Sequence, residues 1–466
     1  MMRDFDLVVI GAGPAGISGA ITAANEGLSV LLLDEQPRAG GQIYRNVERT
    51  NQSRSEILGS DYTKGLGLVQ SLNRADIEHI HGANVWQIEN QNTVYYSVNG
   101  TASVCRAKCI LLATGAIERP MPVPGWTLPG VMTAGAAQIL LKQSGIVCEN
   151  AVIAGSGPLL YLVAAQMVRA GTPPLALLET QTKTDFLASM RYVTGALRGA
   201  SYLVKGLSLL AEIRKARVPR YVGVTDIAID GHDKVEGISF NDGRKKHTIP
   251  CGTALLHHGV VPNTQAARSV GVKHQWNDQQ HCFVPEVDLW GHTASDGIYV
   301  AGDGAGIGGA NVAALTGELA ALDIARTLGA LSESERDKKA APITQKRNRE
   351  LAARPFIDRA YPPYANALAP EDSTIICRCE EVTAGDIRQY AKLGCIGPNQ
   401  TKAFGRSGMG PCQGRYCGLA VTEILAAENQ ISPDQTGYYR IRPPIKPVTL
   451  GELVGLELTE EKESAE

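Results

Sequence analysis

The chain has 466 residues, 45 of them basic and 47 acidic, for a formal net charge of -2. That length exceeds one ordinary core and implies two to four domains of about 100 to 200 residues each, while the near-neutral balance offers no electrostatic footprint for nucleic acid or an anionic membrane. The N-terminus, MMRDFDLVVIGAG, lacks the apolar run and cleavage site of a signal peptide, so a cytoplasmic protein is expected, whose ten cysteines serve as metal ligands or small buried hydrophobes rather than disulfides.

The first element reads as strand, tight turn and helix. Leu7 to Ile10 is an apolar run entering Gly11, Ala12, Gly13, Pro14, Ala15 and Gly16, and a helical pattern continues to about Glu26. The first glycine permits the turn, the second lets a pyrophosphate approach the backbone, and the third lets the helix pack on the strand. The helix N-terminus then faces the phosphates with unpaired N–H groups. A second strand, Ser29 to Leu33, ends in Asp34 and Glu35, 18 and 19 residues beyond Gly16, where an acid is expected on ribose hydroxyls; the spacing favours Asp34.

Three further segments resemble the two-dinucleotide-domain flavoprotein family of thioredoxin and glutathione reductases. Gly40, Gly41 and Gln42 are similar to that family's turn beside the flavin pyrophosphate. The run ILLATG, ending in Ala113, Thr114 and Gly115, resembles its strand and turn against the cofactor, and GIYVAGD, ending in Gly302 and Asp303, resembles the strand whose aspartate binds the ribityl chain. The resemblance implies FAD as the cofactor and Asp303 as one of its ligands, although an Asp before an apolar helix is also a common N-cap.

A second strand and turn follow at Ala151 to Ile153 and Gly155, Ser156, Gly157, Pro158, Leu159, Leu160, leading through a helix to a strand ending at Glu179. Leu160 replaces the third glycine, which predicts a helix pushed off its strand. A nicotinamide site, a site for another nucleotide and a structural relic are all open readings of Gly155 to Leu160. No basic cluster follows Glu179, so NADP is disfavoured. The helical stretch from 184 to 215 is interrupted by Arg191, Arg198 and Lys205, and no integral membrane segment is expected. His257 and His258 precede GVVPN in an apolar segment, which suits structural roles. No cysteine occurs before Cys105 and the second motif holds no C-x-x-C, so thiol exchange beside the flavin is not supported. No catalytic acid or base stands out.

After Leu331 the composition turns polar and charged with several prolines, which reads as a linker or wrapping segment over 332–370. Cys377 and Cys379 then precede Thr383 to Asp386, a capping-box helix start. Cys412 and Cys417 follow a glycine-rich loop, and Cys417 opens a last helix whose dipole favours a thiolate. The spacing is C-x-C, 32 residues, C-x4-C. Zinc is the rival occupant of four thiolates. A 2Fe-2S cluster is favoured by the absence of paired C-x2-C, by the neighbouring flavin's need for a one-electron outlet, and by six positive charges against three negative between 377 and 417. Cys395 reads as a buried spare thiol.

This module resembles the bacterioferritin-associated ferredoxin type of 2Fe-2S domain. Together with the linker, GMGPCQGRYC and the tail RIRPPIKPVTLGEL, nearly the whole chain resembles the large subunit of heteromeric opine oxidases or dehydrogenases, with D-hydroxyproline and L-proline dehydrogenases and hydrogen cyanide synthase as related groups. The resemblance implies a hetero-oligomer with a catalytic flavoprotein beta subunit that oxidises a C–N bond, and a small ferredoxin-like gamma subunit as an optional third member.

The expected class is α/β: two dinucleotide-binding (Rossmann-like) domains plus a small α-helical 2Fe-2S domain. The FAD domain is expected at 1–145 and 256–331, the degenerate NAD(P)-like domain at 146–255, the cluster domain at 371–430, and an extended tail at 431–466. An electron relay is the expected function. A stand-alone NAD(P)H-dependent reductase and a zinc-stabilised assembly module are the alternatives.

Overall fold

The computed structural model describes residues 2–456; the tail beyond 456 lies outside the described residues. Strand β1 (Arg3–Ile10), helix α1 (Pro14–Asn25) and strand β2 (Val30–Asp34) form the expected unit. β1 runs parallel to β2 and to the long strand β3 (Thr101–Leu112), whose first half pairs antiparallel with Thr93–Val98. Gly16 explains the tightness of the turn, because a Cβ there would sit 1.8 Å from the Gly11 carbonyl oxygen.

The chain then crosses to a second sheet through the short antiparallel link of Ala116–Glu118 with Val260–Pro262. The strand Val131–Thr133 and helix α2 (Ala134–Ser144), expected within the first domain, belong to this second unit, since Val131–Thr133 pairs with its sheet. Strand β4 (Ala151–Gly155), helix α3 (Pro158–Arg169) and strand β5 (Ala176–Glu179) repeat the nucleotide-fold pattern. Three α-helices and one short 3-10 turn, Met190–Tyr192, occupy 183–215, the last helix being α4 (Ala200–Lys215). Strand β6 (Thr253–His257) lies parallel beside β4. Gly155 is pinned as Gly11 is, because a Cβ would fall 1.6 Å from the His257 carbonyl oxygen. Leu160, by contrast, is a full core side chain beside Tyr161 and Val163. At the matching point of the first motif no Cβ fits, since one on Gly16 would meet the Gly11 carbonyl.

Strand β7 (Ile298–Val300) returns to the first sheet parallel to β3, and helix α5 (Ala310–Thr327) packs on α1. The expected linker begins as helix α6 (Glu333–Leu351), capped by a Ser332–Glu335 box. It buries little, chiefly Arg336 and Ala340, and is fastened by Arg336 to Asp323 at 2.7 Å and Lys339 to Glu26 at 2.6 Å. A helix held by ion pairs carries no apolar stripe, which is why it reads as a linker.

Parallel sheets need cover on both faces. In β1 and β2 the side chains alternate, so Leu7, Val9 and Leu32 lie under α1 and α5, while Val8, Ile10, Leu31 and Leu33 point the other way. That second face is covered by the cysteine module, whose Ile376, Val382, Ile387, Val421 and Leu425 join the same core. The module contains helix α7 (Ala384–Lys392), with the expected Thr383–Asp386 capping box, and helix α8 (Gly418–Asn429). The tail is less extended than expected: it starts with a short helix, Pro433–Thr436, and inserts Tyr439, Ile441 and Ile445 into that core. Among the described residues no helix is long and apolar enough to cross a membrane.

Candidate functional site: a nucleotide cleft beside two thiol pairs

A continuous cleft of about 1870 Å³ runs along the C-terminal ends of β1, β2 and β3. Gly11, Gly13, Pro14, Ala15, Asp34, Glu35, Gly41, Gln42, Ala113, Thr114, Gly115, Gly302 and Asp303 all line it. Gly16 does not; it faces the turn it packs against. Two glycine turns touch each other along the cleft wall, where a Cβ on Gly41 would stand 2.8 Å from the Gly13 Cα. Bare backbone on both sides and a helix N-terminus suit a pyrophosphate.

Asp34 accepts hydrogen bonds from the backbone N–H groups of Ala12 and Gln36, so it braces the turn as well as lining the cleft; burial pushes its carboxyl above the usual carboxylate range. Glu35 is paired with Lys446 from the tail, which also lines the cleft. Asp303 accepts from the N–H groups of Gly308 and Gly309, both at 2.9 Å, closing the loop ahead of α5. The helix N-cap itself is Gly309. These residues fit FAD, and they would hold its pyrophosphate at the glycine turns and its ribose at Asp34.

The second unit supplies the opposite wall. Lys142 of α2, only 4% exposed, donates to the Gln42 carbonyl at 3.0 Å and to Gln138 Oε1 at 2.8 Å. Among the described residues no carboxylate pairs with it, and burial drags its ammonium down to about 7. Glu118 Oε2 accepts from the Gly135 N–H at 2.8 Å, and its Oε1 lies 2.5 Å from His257 Nδ1. His258 is a structural tie, bonding the Pro120 carbonyl through Nε2 and accepting from the Tyr364 N–H, and burial holds its pKa well below the ordinary value. At the second motif, Glu179 is taken up by Arg220 at 2.7 Å, by the Tyr161 hydroxyl at 2.6 Å and by Gln181 at 2.7 Å. No cysteine lines the cleft among the described residues.

The four expected metal-site thiols come together two by two. Cys379 and Cys412 lie with their Sγ atoms 3.9 Å apart. The buried Cys377 and Cys417 form the other pair: the Cys417 thiol donates to Cys377, and with the N–H groups of Gly408, Glu380 and Cys379 this holds Cys377 down at about 5. The same bond, with burial, raises Cys417, and burial raises Cys379. Cys417 is the N-cap of α8, as expected, although its partner carries the thiolate character. Cys395 is buried in the module's core. Among the described residues no three of Cys, His, Asp and Glu converge on one point. A single zinc would need all four thiols at about 2.3 Å from one centre, and here they stand as two pairs. Gly410 makes room for the open pair, since a Cβ would lie 2.2 Å from the Cys379 Cβ.

The two sites adjoin. Arg415, between Cys412 and Cys417 in sequence, bonds the Cys412 carbonyl at 3.2 Å and the Ile445 carbonyl at 2.7 Å, and with Tyr416 it lines the cleft. Neither Arg415, Lys142 nor the Lys446–Glu35 pair has a motif to announce it; only the long-range fold brings them to the cleft.

The pyridine nucleotide-disulphide oxidoreductase family matches residues 5–317, and the sarcosine oxidase A3 domain matches residues 371–455. The chain is 44% identical to the opine oxidase A subunit of Rhizobium meliloti, over 98% of this chain and 89% of that one. It is 30% identical to the HcnB subunit of hydrogen cyanide synthase from Pseudomonas aeruginosa, over 95% and 96%. The solved L-proline dehydrogenase from P. horikoshii shares the fold at a TM-score of 0.71 and 19% identity, over 97% of this chain and 80% of that one.

Proposed function

Since the chain belongs to the pyridine nucleotide-disulphide oxidoreductase family and groups with the opine oxidase A subunits, we propose that it is the electron-transfer flavoprotein and iron–sulfur subunit of a heteromeric opine or amino acid dehydrogenase or oxidase. Its partner, a catalytic flavoprotein subunit, oxidises the C–N bond, and this chain passes the electrons to an external acceptor. The observation that carries the reading is the adjacency of the two sites: Arg415 and Tyr416 of the thiol module line the same cleft as the glycine turns. FAD, when bound, supplies a centre that takes electrons in a pair and releases them singly. The glycine turns at Gly11–Gly13 and Gly41 would hold its pyrophosphate, Asp34 accepts from the Ala12 and Gln36 N–H groups at the turn, and burial keeps solvent from Cys377 and Cys417.

The stand-alone reductase reading is disfavoured because Glu179, the acid a nicotinamide ribose would need, is already bonded to Arg220, Tyr161 and Gln181. Anaerobic purification followed by flavin, iron, sulfide and zinc analysis tests the proposal. FAD together with two irons per chain is expected; zinc without iron rejects the cluster, and a colourless protein after reconstitution rejects the relay.

A further inference from the structure

The second unit carries an exposed surface that neither motif uses. Of the 21 large hydrophobic side chains exposed on the described chain, seven fall between 186 and 207. Leu187, Leu197 and Leu207 are 69%, 65% and 68% exposed, with Phe186, Met190 and Val204 beside them in sequence. Isolated exposed apolar residues are ordinary, but such a concentration marks an interaction surface. The buried side of α4 is already provided for by Leu209 and Ile213, so these outward residues are not a misplaced core.

The charge on this segment is one-sided. From 183 to 217 there are seven lysines and arginines against Asp185 and Glu212, on a chain of net charge -2. Both acids are used up internally, Asp185 by Arg359 at 2.8 Å and Glu212 by Arg169 at 2.7 Å. Lys205 is likewise paired with Asp61, which leaves the exposed Lys183, Arg191, Arg198, Arg214, Lys215 and Arg217 as a positive excess on the same segment as the apolar side chains. The location is also specific: Tyr202, Val204 and Lys205 line the mouth of the nucleotide cleft, and Lys205 reaches across it to Asp61 at 2.6 Å.

We propose that the helical face 186–207 is the docking surface for the electron-delivering flavoprotein subunit, which presents an apolar patch rimmed by carboxylates; the proposal rests on the chain's being one subunit of such a complex. Docking here brings the partner to the cleft mouth, where its electrons are needed, and buries side chains that water otherwise surrounds. Carboxylates on the partner complement the cations and speed encounter, so assembly weakens as salt screens them.

The test uses the native complex, purified through a tag on this chain, and a variant with Leu187→Glu, Leu197→Glu and Leu207→Glu. These positions are exposed, so FAD absorbance should be retained while the partner flavoprotein no longer coelutes. Hydrogen exchange on the wild-type complex gives a second readout independent of the variant, with protection of 186–207 relative to the isolated chain expected. Normal assembly of the variant, or an unprotected segment in the complex, overturns the proposal. So does a variant that keeps its partner but loses wild-type binding to vesicles of phosphatidylcholine and phosphatidylserine, which would make the face a lipid-binding one. A wild-type chain that carries FAD and iron yet purifies alone instead overturns the subunit reading, and this surface with it.

Discussion

The Sγ atoms of Cys379 and Cys412 stand 3.9 Å apart although 33 positions separate them in the chain, and each is two to five positions from a member of the buried pair, Cys377 and Cys417. Each half of the motif thus gives one thiol to either pair. In the proposed cluster, Cys379→Ser or Cys412→Ser would remove one ligand of the four, and is expected to abolish the iron–sulfur absorbance while leaving FAD bound. Cys395→Ala should keep the full iron content and cost about 1 kcal/mol of stability, the loss of one small buried group. Iron analysis and visible spectra of the three variants check this; retention of iron in Cys412→Ser would exclude the pairing.

Glu179, the acid that a nicotinamide ribose would meet at the second motif, is bonded to Arg220. Their bond is backed by the Tyr161 hydroxyl, and Tyr361 lies edge-on to the Tyr161 ring at 6.1 Å. Anaerobic mixing with NADH is therefore expected to leave the flavin oxidised over minutes, in stopped-flow absorbance at the flavin band. Bleaching within seconds would return the chain to the reductase class.

The parts of this protein that sequence alone conveys are those whose chemistry is local. The turn from Ile10 to Gly16 is legible because the Gly16–Gly11 approach tolerates no side chain, and the thiols because ligands must recur at short spacing. Helix α6 is illegible because Arg336–Asp323 and Lys339–Glu26, not an apolar stripe, fix it. Val131–Thr133 is expected in the wrong unit because a three-residue apolar strand fits either sheet until its partner, β6, is known. Lys142 reaches the cleft wall from a helix of the second unit, and no spacing rule connects it to Gln42, 100 positions away.

Ile445 and Lys446 fasten the tail over the Asp34–Glu35 end of the cleft by different means. Ile445 is buried and its N–H donates to the Trp86 carbonyl at 2.7 Å, whereas the Lys446–Glu35 pair is partly exposed on both sides. Burying an isoleucine is worth about 1.5–3 kcal/mol, while an exposed ion pair contributes about 0–1 kcal/mol. FAD should accordingly dissociate about tenfold faster from Ile445→Ala and no more than a few-fold faster from Lys446→Ala, read from flavin fluorescence on dilution. The reverse order would mean that charge, not burial, holds the tail.

Lys142 makes stability depend on pH with a predictable sign. Its ammonium titrates at about 7 in the fold because burial disfavours the charge, against roughly 10.4 in an unfolded chain. Below pH 7 both states are protonated and the folded state bears the whole cost of a buried charge, on the order of a few kcal/mol. Between about 7 and 10 the unfolded chain binds the proton and the folded one does not, so stability rises with pH; above about 10 the gain is complete. Arg45 adds to the effect by repulsion. Lys142→Met removes this titration but leaves Gln138 and the Gln42 carbonyl short of a donor. Its urea-unfolding free energy should therefore lose the rise from about pH 7 to 10 that the unaltered chain shows, and parallel curves for the two proteins would mean that the lysine stays charged against an anion in the cleft.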